Sequence, residues 1–170
     1  MGRMRETLHS AVGSFGLERA GQQVEKAYRE LERCRAASTE QDLRDAGINC
    51  AISIWHINDW LWAAIAQGKS EKPAVARLLG VTHRKLEQDD LVKWAVSRCP
   101  ELNLVQAVCN ASKHVGIVGA TGTRTDGPGS GSHGPRLVIM DEQGEHDALK
   151  VFGRAIDFWI DQATNCYVIH

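Results

Sequence analysis

Neither sign of charge is in excess in this chain. Its 170 residues carry 20 Lys and Arg against 21 Asp and Glu, a formal net charge of −1. That balance excludes the broad cationic surface that drives nonspecific attraction to RNA or to anionic membranes. One local group of basic residues, Lys69, Lys72, Arg77, Arg84 and Lys85, reads as solvated surface. Paired cysteines are lacking as well. The five, Cys34, Cys50, Cys99, Cys109 and Cys166, are odd in number and include no C-x-x-C pair. Neither a disulfide framework nor a zinc ribbon is therefore expected. Cys34, Cys50 and Cys109 fall on apolar helix stripes, where a reduced cysteine acts as a small hydrophobe. No apolar run is suited to a membrane. Residues 51–66 are too short and are interrupted by His56, Asn58 and Asp59, and Met1–Ser10 lacks the apolar core of a signal peptide. The expectation is a cytoplasmic protein with no membrane partner. No internal repeat is evident.

What the sequence does contain is helical periodicity. With 43% apolar residues, the chain is long enough for one domain, residues 1–170, with its own core. Leu17, Ala20, Val24, Ala27, Leu31 and Cys34 recur every three or four residues, an amphipathic helix with a seam of small side chains. Ser38 and Gln41 form a capping-box candidate for a second helix from about Thr39 to Gln67, with Gly68 at its end. This central helix is apolar on nearly every side. Its stripe Ile48, Ile52, Trp55, Trp62 and Ala66 includes Asp59, so a buried carboxylate is expected, with His56 within reach. A short helix between Lys69 and Val81 has Pro73 in its first turn and Gly80 at its end. A third long helix is expected from about Thr82 to Cys99, and a fourth from Glu101 to Val115. On the fourth, Asn103, Asn110 and His114 lie in line.

Residues 116–135 are glycine-rich and read as a flexible loop. Arg136–Met140 is a strand candidate, with Asp141–Gly144 as its turn, and a last helix covers about Asp147 to Thr164. The fold class is mainly α: an up-and-down bundle of four or five helices with a small hairpin-like excursion before the last. Three glycine-rich segments that loosely resemble phosphate loops, at 68–70, 116–122 and 129–134, either follow helices or read as linker, and none is taken as one.

The segment Cys109-Asn110-Ala111-Ser112-Lys113-His114 resembles the HEPN motif: an arginine, a polar residue, three variable residues and a histidine late in a helical bundle. Together with Trp55-His56-x-x-Asp59-Trp60 upstream, it is also similar to bacterial proteins of that architecture. The likeness covers about Thr39 to His114. It implies a small protein of the toxin–antitoxin or phage-defence type that needs no cofactor or metal and acts as a homodimer. His114 would be the acid–base group, Asn110 would orient it or the phosphate, and Lys113 would offset negative charge. His56 and Asp59 would support the site from the neighbouring helix. Cys109 stands where the family has its arginine, and losing that clamp would cost several kcal/mol of transition-state stabilisation. The resemblance therefore leaves two forms open, a metal-independent ribonuclease and a noncatalytic relative that binds RNA or a protein partner. A different class of reading makes His56, Asp59 and His114 a two-His, one-carboxylate metal site within the bundle. The plainest reading makes the same residues structural groups of an interaction module.

Overall fold

In the computed structural model, residue 17 and residues 19–68, 72–112, 122–127 and 134–165 are described. The first two helices, α1 (Ala20–Ala36) and α2 (Glu40–Trp55), form a hairpin joined at residues 37–39. The small-residue seam of α1 is buried as its spacing predicts, with Ala27 fully inaccessible and the Cys50 Sγ of α2 3.8 Å from the Ala27 carbonyl. Polar links cross the same interface. Gln23 Nε2 donates to the Ser53 carbonyl at 2.8 Å, and Lys26 donates to the Ser53 hydroxyl. The cap of α2 lies one residue later than the expected Ser38–Gln41 pair. Thr39 Oγ1 accepts from the Asp42 N–H at 3.1 Å, satisfying one of the donors left open at a helix start.

The expected central helix is broken at His56, where α3 (Ile57–Gln67) begins. The Asp59 and Trp60 N–H groups both donate to the His56 carbonyl at 3.1 Å, and Asn58 Nδ2 donates to the Trp55 carbonyl at 3.0 Å. The Trp60 bond is the ordinary four-residue helix bond, whereas the Asp59 bond spans three residues and tightens the first turn of α3. The expected stripe is also corrected. The core takes the slimmer aliphatic face, Leu43, Gly47, Cys50, Ile54, Ile57, Leu61 and Ile65, which carries the same three-and-four spacing. Trp55, Trp60 and Trp62 stay half-buried at its margin, and Asp59 is exposed rather than buried.

Then come α4 (Lys72–Leu78), ended at Gly80 in a left-handed conformation (φ 72°), and α5 (Gln88–Arg98). Helix α5 starts about six residues later than the periodicity predicts. Asp90 accounts for the delay: it takes a 2.9 Å bond from the Glu87 N–H and is held by both guanidinium nitrogens of Arg84, which fixes residues 84–87 as an irregular approach. Pro100 separates α5 from α6 (Glu101–Ala111). Part of the stretch expected to be loop is strand. β1 (Gly122–Asp126) pairs antiparallel with β2 (Arg136–Asp141), which pairs with β3 (Gly144–Asp147), so the excursion is a three-stranded sheet rather than a hairpin. The last helix, α7 (Ala148–Asn165), drives Phe152, Ile156 and Trp159 into the core against α1, α2 and α6. The architecture is mainly α, as expected. No helix among the described residues is long and apolar enough to cross a membrane.

Candidate functional site

The sheet meets the helices at one glycine. Gly47 of α2 has no Cβ, and Leu137 of β2 occupies the space: its Cδ1 lies 2.3 Å from where a Cβ would stand. The close approach fixes β2 across α2 and leaves a cleft of about 370 Å³ beside the contact. Its walls are apolar, made by Ile48, Val108 of α6, Leu137, Ile139 and Phe152 of α7. The antiparallel register adds two hydroxyls. Thr123 pairs with Ile139 and Thr125 with Leu137, and directly paired residues share a sheet face. Their side chains therefore lie on the side of the sheet that carries Leu137 and Ile139.

Two arginines border this cleft, and they differ in what they can offer. Arg124 bonds to Asp126 and Glu145, each at 2.6 Å, and its guanidinium is held above its ordinary value by those two carboxylates. Its charge is spent within the sheet. Arg44 of α2 is exposed and forms no ion pair among the described residues. Among the described residues, the cleft thus combines an apolar body, two hydroxyls and, in Arg44, a cation without an ion pair. Pockets that bind small groups commonly pair such a lining with a few convergent polar groups.

A second cleft, of about 310 Å³, lies where the β2–β3 turn meets the start of α6 and the side of α7. It holds His146 Nε2 2.8 Å from Asp141 Oδ1, and Arg154 donating to Glu101 at 3.0 Å. Asp141 lies below the usual carboxylate range chiefly because of its bond with His146. The Cys99 thiol, 3.5 Å from the same Glu101 carboxylate, is pushed up to about 11 by burial and that negative charge. Both carboxylates of the cleft, Asp141 and Glu101, already have a side-chain partner. One bond closes the β2–β3 hairpin and the other links α7 to α6, so the cleft's acidic groups are engaged within the fold. Sequence reasoning assigned Asp141–Gly144 only to a turn and missed His146. The available signal was Asp-x4-His spanning a tight turn, whose Gly144 has φ 121°.

The residues singled out from sequence fall as follows. His56 sits half-buried at the α2–α3 join, and exposed Asp59 accepts from Gln88 Nε2 of α5 at 2.6 Å. Asn110 is exposed in the last turn of α6, with Asn103 exposed near its start. Cys109, at the motif's arginine position, is fully buried in the core. Lys113 and His114 lie outside the described residues. Among the described residues, no three His, Cys, Asp or Glu side chains are grouped to hold a metal. Of the helix bearing the motif, Val108 forms part of the first cleft's wall. No family model matches the chain, and no curated protein or solved structure is significantly similar to it.

Proposed function

We propose that this chain is a HEPN-like cytoplasmic protein that binds single-stranded RNA without cutting it. The observation that carries the reading is the cleft between α2, α6, α7 and the sheet. An unstacked nucleotide offers a flat apolar base and one phosphate charge, and the cleft offers apolar walls, two threonine hydroxyls and Arg44. Single-stranded RNA exposes its bases for such contacts, whereas a duplex hides them.

The noncatalytic form is favoured by Cys109. A phosphate clamp must reach solvent, and this position is fully buried. A guanidinium placed there would have to move the surrounding core aside to reach a phosphate in solvent. The near-zero net charge fits modest affinity carried by a few contacts, rather than a long electrostatic footprint.

RNA incubated with the protein in EDTA is expected to remain intact while migrating as a complex. Cleavage that His114→Ala abolishes would restore the ribonuclease reading. Intact RNA without a complex would leave the protein-partner form, and sizing by light scattering then reports whether that partner is a second copy.

A further inference from the structure

The sheet has two edges, and they differ in what they can accept. β3 is four residues long, and Glu145 and Asp147 share one of its faces. A second β3 laid antiparallel beside it, about a two-fold axis at His146, would set Glu145 against Asp147, and like charges directly opposite repel. β1 pairs with β2 along one side, and among the described residues its other side has no backbone partner. The strand Gly122-Thr123-Arg124-Thr125-Asp126 has neither the proline nor the lysine that commonly shields an edge. It is also within reach of solvent. Thr123 is exposed, and the Arg124 and Asp126 side chains retain 38% and 35% of their accessibility.

We propose that β1 is an interaction edge on which a second copy of this chain pairs antiparallel, joining two three-stranded sheets into one of six strands. The charge order of the strand sets the register. Reversed about a two-fold axis at Thr125, the run Arg124-Thr125-Asp126 is complementary to itself, because each Arg124 stands opposite the partner's Asp126. Moving the axis one residue either way would set Arg124 against Arg124 or Asp126 against Asp126. Within one chain Arg124 already bonds Asp126 beside it, so the pairing closes a square of four alternating charges. Asp126 also stands opposite Arg136 of β2, and the row continues the alternation across three strands. On the other face Thr125 meets the partner's Thr125, a favourable cross-strand pair. The helices leave room for this. α2 touches the sheet at Leu137, which is paired with Thr125. The two Leu137 residues then lie three strand spacings apart, about 14 Å, which exceeds the roughly 8–10 Å between packed helices. A five-residue edge is a small interface, so the association is weak and reversible.

Sedimentation equilibrium of the full chain from about 5 to 500 µM should show monomer passing to dimer and nothing larger, the range in which so small an interface assembles. Arg124→Asp and Asp126→Arg each set like charges opposite one another in a self-pair, so each variant alone should associate at least about tenfold more weakly. Mixed in equal amounts the two should recover the dimer, because they present opposite charges to one another at both positions. Hydrogen–deuterium exchange of the unmutated chain adds a readout that no variant enters. Amides within residues 122–126 should exchange more slowly at the high concentration than at the low. The proposal is overturned by a chain that stays monomeric, by folded variants whose mixture is no more dimeric than its parts, or by concentration-dependent protection confined to residues outside 122–126. Species larger than a dimer would mark head-to-tail pairing of β1 with β3 and overturn it too. The exchange measurement decides even if a variant fails to fold. It is also independent of whether RNA binds.

Discussion

Replacing Gly47 with alanine would put a methyl group where Leu137 already sits. The new Cβ would lie 2.3 Å from Leu137 Cδ1, whereas two carbons rest at about 3.5–4.0 Å. The leucine would have to retreat by more than an ångström into a side of the cleft shared with Ile139 and Phe152. Such overpacking costs about 1–3 kcal/mol. Alanine also returns about 0.5–1 kcal/mol, because glycine within a helix is entropically costly. The net expectation is a loss of about 1 kcal/mol. The sign should reverse when the obstacle is removed. In a Leu137→Ala background, Gly47→Ala should stabilise the protein by about 0.5–1 kcal/mol. The resulting coupling of about 1–3 kcal/mol lies within the range seen for residues in contact. Urea unfolding of the four proteins, read at constant slope, measures it. An equal effect of Gly47→Ala in both backgrounds would refute the close approach on which the cleft is built.

Other perturbations test neighbouring parts of the account. Thr39→Ala removes the cap that accepts the Asp42 N–H, and should lower stability by about 1 kcal/mol in the same assay. Asp90 is held below its ordinary value of 3.8 chiefly by its bonds from Arg84, with the Glu87 N–H adding to them. Its contribution is therefore complete above that value and is lost as pH falls through the lower folded one. Asp90→Asn should flatten the acid limb of stability in that window, and an unchanged limb would contradict the pairing. Asp59→Ala should change stability by less than about 0.5 kcal/mol, because the carboxylate is exposed and bonds only an amide among the described residues. A loss of several kcal/mol would return Asp59 to the buried role its spacing suggested.

The sequence carried the helices well and their orientation less well. The α1 seam, the short helix ending at Gly80, the α5–α6 boundary at Pro100 and the strand from Arg136 all follow from local periodicity and from glycine or proline. The central segment misled because it carries two apolar stripes. One has the tryptophans and Asp59, the other the aliphatic residues from Leu43 to Ile65, and periodicity alone does not choose between them. The core took the stripe that packs against α1, where Cys50 meets Ala27, and left the wider indoles at the edge. The break at His56 has no proline or glycine to announce it, only an asparagine side chain bonding back to Trp55. The cleft was not legible for a different reason. It requires Gly47 to meet Leu137, ninety residues on, and a strand at 122–126 in a stretch whose glycines suggested a loop. The pairing of Asp141 with His146 likewise depends on a hairpin register that composition does not specify.

The most direct test is titration of a fluorescently labelled single-stranded RNA with the unmutated protein and with Arg44→Ala, followed by anisotropy across a salt series. The account predicts about tenfold weaker binding for the variant, the loss of one charge-assisted contact worth about 1.5 kcal/mol. It also predicts a logarithmic salt slope of about −0.7 for the unmutated protein, the release expected from one phosphate contact on a single strand. Equal affinity of the two proteins, or a slope several times steeper, would contradict a site built from one arginine and an apolar cleft.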